Sequence, residues 1–322
     1  MHFNRPLLLL LSLILAATLN SQPIDIKNYT SEIQEERLKS SLTFISDDLT
    51  KGRAVGTAGS LIVSSYLKRE FERLGMIPFY STTFTKSFKL RQNGDEESIG
   101  RNVIGVVPSL YYTDEYLLVT AHYDHLGILG GKIYNGADDN ASGVASLLTI
   151  ASLFSEMRAN REGPRKNIIF ALFDAKEVDL AGSSYFAKNL PVPARKIKYA
   201  VNIDQIGSTF APPGKFDNYL LYVADSKIRT QISRLLDEIK SKNRLLIDID
   251  HTFYGSKAFY DVFLKTSDNY NLTKAGIPSM MFTSGIHMHT YKPTDEHYFI
   301  NYSVLKERTK LIFLLLNELL AR

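Results

Sequence analysis

The densest chemistry in the chain lies in residues 117–144, LLVTAHYDHLGILGGKIYNGADDNASGV. An apolar run ends at Ala121, and His122, Asp124 and His125 follow it directly. A glycine-rich turn then leads to Asp138, Asp139 and Asn140, just ahead of an apolar helical pattern. Imidazoles and carboxylates at the end of a buried strand are metal ligands by type. Without cysteine they suit zinc in a hydrolytic role.

Other parts of the chain add to this set. The continuous apolar run 167–173 stops at Asp174-Ala-Lys176-Glu177, and the run 199–203 stops at Asp204. The loop Asn135-Gly-Ala-Asp138 brings a carboxylate, and His287 and His289 follow a late apolar run, 278–283. Any one of these alone reads as an ordinary polar residue of core or surface. Together they fall just past the C-terminal ends of buried strands, the edge at which open α/β sheets bind ligands. Their convergence there reads as a metal site.

The elements that must position these residues alternate. Leu38, Leu42, Ile45 and Leu49 fall on one face of a helix spanning 31–50, with Ser31 in its cap region. A turn-rich loop, 51–59, lacks both the preceding strand and the Lys-Ser/Thr pair of a phosphate-binding loop, and reads as structural. A second helix carries Leu67, Phe71 and Leu74 and stops at Gly75. Strands are expected at 79–90, 102–107, 116–121, 167–173, 199–203, 219–223 and 278–283. Helices are expected after Asn140, over 182–189, after Asp225 and over 303–321. This order specifies an α/β fold, doubly wound, with a mostly parallel central sheet and helices on both faces.

Composition narrows the class. Apolar residues make up 44% of the 322 and charged ones 22%, so the chain is globular. Net charge is only +4, with no dense basic stripe, which argues against a nucleic-acid partner. Residues 1–21 read as a signal peptide: His2 and Arg5, then an apolar stretch over 7–17, with cleavage near Ser21. That stretch falls short of the ~20 residues that span a bilayer. The expectation is an exported protein, periplasmic or extracellular, with residues 22–322 forming a single domain. The apolar run 311–316 is also too short to span, so no membrane span is expected in the mature chain. With no cysteine, stability must come from the core.

From about residue 49 onward the chain resembles the M28 family of dinuclear-zinc aminopeptidases, which includes glutaminyl cyclases. The matching pieces are Asn102-Val-Ile-Gly, Ala121-His-Tyr-Asp-His-Leu-Gly127, Gly136-Ala-Asp-Asp-Asn-Ala-Ser-Gly143, Phe173-Asp-Ala-Lys-Glu177, Asn202-Ile-Asp204, and Ser267-Asp268 before Gly276-Ile-Pro278. The resemblance implies a zinc-exopeptidase-like sheet and two zinc ions. It implies that His122 and Asp204 bind one zinc, Glu177 the other, and that Asp138 bridges them, with Asp138-Asp139 a candidate cis peptide. Asp124 would orient the His122 imidazole from behind. The implied activity is removal of N-terminal residues from peptide substrates.

Two positions depart from the family pattern. Two consecutive glutamates are the family rule, the first acting as general base. Here the pair is Lys176-Glu177, and Leu180-Ala-Gly-Ser183 fixes the register. An ammonium cannot accept a proton. Either metal proximity depresses Lys176 enough for it to serve, or it pairs with a carboxylate in an impaired site. The last histidine ligand is also displaced: Tyr291 stands at its usual place before Lys292-Pro-Thr-Asp295. His289 is the favoured replacement, with His287 second. The alternative function is thus a catalytically impaired or inactive homologue that binds a peptide or amine in the cleft. Glutaminyl cyclisation would need the same base.

Overall fold

The computed structural model describes residues 25–92, 96–210, 216–252 and 256–322. The signal-peptide expectation for residues 1–21 lies outside the described residues.

Among the described residues, nine strands form one sheet. Its middle is parallel: Tyr116–His122 lies between Asn167–Phe173 and Ile197–Ile203, and Ser279–Thr283 follows on the far side of Ile197–Ile203. The flanks are mixed. Glu96–Val107 runs antiparallel to Asn167–Phe173, and Tyr219–Ala224 antiparallel to Ser279–Thr283. Thr85–Gln92 folds back on Glu96–Val107 as a hairpin, so its start falls later than the alternation from 79 suggested.

The central strands are apolar throughout because both faces are covered. In Asn167–Phe173, Ile168, Phe170 and Leu172 enter one cluster and Ile169, Ala171 and Phe173 the other. This is the two-residue alternation of a strand with a core on each side. The larger core packs helices Glu35–Ile45, Ala58–Arg73, Gly143–Ala159 and Tyr302–Ala321. The smaller one takes Phe186 of Ala181–Lys188 and Leu272 of Asn269–Lys274. Gly143–Ala159 is buried almost all round and is the helix nearest the chemistry. No helix among the described residues is long and apolar enough to cross a membrane.

The first expected helix is shorter than its pattern. Ser31 closes a separate turn, Ile26–Ser31, its hydroxyl donating to Asn28 O. Glu35–Ile45 starts beyond it, with two glutamates in its first turn where the helix dipole favours them. Leu38, Leu42 and Ile45 are buried as expected, but Leu49 is 75% exposed. The helix ends at Ile45, and Asp47 accepts from Leu49 N to start a tighter turn, Asp48–Arg53. That turn carries Arg53 beneath the strand ends.

Candidate metal centre

Three adjacent parallel strands end together, with His122 level with Phe173 in the ladder. Past those ends come Asp124, Lys176 with Glu177, and Asp204. The irregular turn Ala137–Ser142 enters from the side and leads into Gly143–Ala159. His122 Nε2 lies 3.3 Å from both Asp139 Oδ1 and Asp204 Oδ1. One ligand atom each from His122, Asp139 and Glu177 also fall within 4.8 Å of one another. His122 and Asp139 are completely buried.

The carboxylate that meets His122 and Glu177 is thus that of Asp139, one residue after the expected Asp138. The cis peptide is likewise one step later, at Asp139-Asn140. Asp138 points elsewhere. Its Oδ1 accepts from Gly207 N at 2.6 Å and from the Ser142 hydroxyl at 3.0 Å, and its Oδ2 faces His287 Nε2 at 3.0 Å. Neighbouring side chains in an extended turn diverge, so only one of the two aspartates can enter the cluster.

Neither favoured histidine enters it. His289 stacks on Phe299 with ring centroids 4.3 Å apart, and its Nδ1 meets Thr294 Oγ1 at 2.9 Å. His287 is taken up by Asp138. Asp124 does sit behind His122, but differently from expectation. Its carboxylate is 3.7 Å from Nδ1, and its backbone carbonyl is nearer, at 3.2 Å. The carboxylate instead accepts Lys176 N at 2.9 Å and Glu177 N at 3.0 Å, fixing the turn after Asn167–Phe173.

Four further residues shape the site: His125 and Asn140, which the sequence marked by type without a specific role, and Asp295 and Arg53, to which it gave none. His125 is fully buried with neither ring nitrogen hydrogen-bonded, and its Nδ1 lies 3.9 Å from both Asp139 Oδ2 and Glu177 Oε1. Asn140 stitches its turn to the Asp204 segment, donating to Ile203 O and accepting from Gln205 N and Gly143 N. Asp295 accepts the backbone N–H groups of Asp138 and Asp139. Arg53, fully buried, donates to the carbonyls of Tyr123, Asn135, Gly136 and Asp139. His125 was visible in the HYDH cluster. Arg53 was hidden in a loop whose glycines drew the attention. Gly136 has φ 54°, and a Cβ there would collide with Asp139 O and the His125 ring, so only glycine lets the two ligand segments meet.

The donor set fits a divalent ion. Both Asp139 oxygens are buried without a hydrogen-bond partner, a state that native interiors rarely leave uncompensated. Bonds of ~2.0–2.1 Å to a tetrahedral zinc put neighbouring ligand atoms roughly 3.3 Å apart. The two contacts of His122 Nε2 have that length. Charges are set by the protein's own groups. Burial opposes ionisation of Asp139, but the Lys176 ammonium and His122 outweigh it and hold its pKa far down. Burial lowers His125 to about 3, so its imidazole is neutral and able to ligate. Burial raises Glu177 to about 7, with the ammonium of Lys176 pulling the other way.

Lys176 is the anomaly at the centre. Its side chain is buried, with Nζ 3.0 Å from Glu177 Oε1, 3.8 Å from Asp139 Oδ1 and 3.2 Å from the Tyr291 hydroxyl. Burial disfavours its charge, but Asp139, Glu177 and Asp204 overcome that and raise its pKa well above the ordinary lysine value. The surrounding carboxylates favour its ammonium form over the deprotonated form that could serve as a base. Beside it Lys176, Glu177, Tyr270 and Tyr291 line an open hollow of about 410 Å³.

Comparison with known proteins places this arrangement. The model of peptidase family M28 matches residues 102–316, and the chain belongs to that family. The leupeptin-inactivating enzyme 1 of Streptomyces exfoliatus is 32% identical over 178 residues, covering 55% of this chain and 36% of that one. A probable zinc metalloprotease of Pyrenophora tritici-repentis is 24% identical over 212 residues, 60% of this chain and 46% of its own. The chain therefore spans less than half the length of these curated relatives. The same fold is found in the zinc aminopeptidase BSAP of Bacillus subtilis, with TM-score 0.66 and 14% identity over 89% of this chain and 95% of that one. It is also found in the glutaminyl cyclase of Porphyromonas gingivalis, with TM-score 0.68 and 18% identity over 89% and 99%.

Proposed function

We propose that the chain is a zinc-dependent hydrolase that removes N-terminal residues from peptides. The observation that carries this reading is the meeting of His122, Asp139, Glu177 and Asp204 at the strand ends, with both Asp139 oxygens lacking a hydrogen-bond partner. Membership of peptidase family M28 and the aminopeptidase names among its relatives support it. The signal-like composition of residues 1–21 supports action outside the cytoplasm.

His122, Asp139 and Asp204 would hold the metal, with Glu177 beside them; when bound, the metal would supply Lewis acidity and a more acidic bound water. Asp124 fixes Lys176 and Glu177 through their backbone N–H groups. Asn140, Asp295 and Arg53 fix the turn that presents Asp139. Lys176 can donate a hydrogen bond to a substrate carbonyl but cannot take a proton. Turnover is therefore slower than with a carboxylate at that position, for which loss of a general base costs typically 10²–10⁴-fold. The same lack weighs against glutaminyl cyclisation, and the likeness to the Porphyromonas protein is one of fold.

A panel of aminoacyl 4-nitroanilides, each with an N-acetylated control, tests this. The expected result is zinc-dependent release of nitroaniline from free-amine substrates alone, abolished by a chelator. No release by the wild type or by Lys176→Glu would overturn the hydrolase reading and leave a peptide-binding descendant.

A further inference from the structure

We propose that the Lys176 ammonium fills one of the two cation positions in this cleft, so that the chain holds a single metal ion between His122, Asp139 and Asp204. This rests on the zinc reading above and deepens it.

Two groups of ligand atoms share Asp139. On one side, His122 Nε2 meets Asp139 Oδ1 and Asp204 Oδ1, each at 3.3 Å, the spacing of ligands around one small ion. On the other side stand Asp139, Glu177 and the position of the last histidine. There Tyr291 replaces the imidazole, and its hydroxyl points at Lys176 Nζ, 3.2 Å away. The same Nζ lies 3.0 Å from Glu177 Oε1 and 3.8 Å from Asp139 Oδ1. A cation already occupies the second trio, and it belongs to the chain.

The two departures from the family pattern then explain each other. A phenol is a poor zinc ligand beside imidazole and carboxylate, but its oxygen is a good acceptor for an ammonium proton. The Tyr291 ring also flanks the charge, with its centroid 5.4 Å from Nζ, within reach of a cation–π contact. A second divalent ion ~3.5–4 Å from the first would have to displace the ammonium or sit against it.

The test is the ratio of bound zinc to protein, measured by elemental analysis after loading in excess zinc and removal of the free ion. We expect one zinc in the wild type, and two in Lys176→Glu or in the apolar, length-matched Lys176→Met. Two zinc ions in the wild type overturn the proposal while leaving the zinc-hydrolase reading intact. A ratio that stays at one in both folded variants, checked by circular dichroism, also overturns it. No zinc in the wild type removes the zinc reading itself and the proposal with it. One zinc without peptidase activity leaves this proposal standing and removes only the activity. A second measurement locates the ion without touching Lys176. Asp204→Asn should weaken zinc by on the order of 100-fold or more, and Glu177→Gln by less than about tenfold, the low end of an outer-sphere effect. The reverse order overturns the assignment.

Discussion

Lys176 and Glu177 are adjacent in sequence, and their charged ends meet 3.0 Å apart inside the cleft. Consecutive side chains ordinarily diverge. Here one carboxylate, Asp124, grips both backbone N–H groups, and the preceding Ala175 has φ 59°. The tight turn presents both side chains to Asp139. A base and a ligand in the family pattern have become an ion pair, and most expectations for this protein follow from that.

Replacing the ammonium with a carboxylate should restore a proton acceptor. Lys176→Glu is expected to raise kcat on aminoacyl anilides by roughly 10²–10⁴-fold, the usual contribution of a general base. Steady-state kinetics on the zinc-loaded protein measure this. An unchanged or lower kcat with full zinc occupancy would show that Lys176 is not at the base position.

Asp139→Asn and Asp138→Asn should separate metal binding from scaffolding. The first removes a ligand and should abolish tight zinc binding. The second weakens acceptance from Gly207 N and Ser142 and should cost about 1–3 kcal/mol of stability with zinc retained. Zinc titration and urea denaturation on both variants check this, and loss of zinc confined to Asp138→Asn would reverse the assignment.

Arg53 is buried completely and donates to five carbonyls, those of Ile45, Tyr123, Asn135, Gly136 and Asp139. Arg53→Met removes a donor from each of these carbonyls, of which Gly136 O keeps Ala141 N and Ile45 O keeps the Thr50 hydroxyl, and a buried group left unsatisfied costs about 1–3 kcal/mol. The expected loss exceeds about 3 kcal/mol in urea denaturation, with zinc affinity falling as the Asp139 turn loosens. A loss below about 1 kcal/mol would show that the guanidinium is dispensable.

Asp268 gives the pH dependence of stability a separable part. Both its oxygens are buried without a hydrogen-bond partner, and burial pushes its pKa up to about 6. Unfolded, it ionises near 4. Between those values the native state keeps a proton that the unfolded state has lost, so this group makes stability fall as pH rises from about 4 to 6. Asp268→Asn should remove that part, up to roughly 2–3 kcal/mol, and stabilise the protein near pH 7 relative to wild type. Urea denaturation across pH 4.5–7.5 measures it. Parallel curves for the two proteins would contradict it.

The strands and the sheet edge were readable because Asn167–Phe173, Tyr116–His122 and Ile197–Ile203 are apolar on both faces and end in ligand-type residues. The family pattern supplied His122, Glu177 and Asp204 by position; the structure brings His122 and Glu177 to the Asp139 carboxylate and Asp204 to His122. The sequence could not say which of Asp138 and Asp139 turns inward. That depends on Gly207 N and His287 claiming Asp138 from distant segments. For the same reason His289 was a poor choice. Its ring is held by Phe299 and Thr294, contacts that no local spacing reveals. The meeting of Lys176 with Tyr291, 115 residues apart, was equally invisible, although each was recognisable as out of place.

Crystallographic anomalous scattering at the zinc edge tests the central claim most directly. The account predicts one peak bounded by His122 Nε2, Asp139 Oδ1 and Asp204 Oδ1, with Lys176 Nζ still against Glu177 and the Tyr291 hydroxyl. Two peaks bridged by Asp139, or zinc bound at His287 or His289 instead, would contradict it.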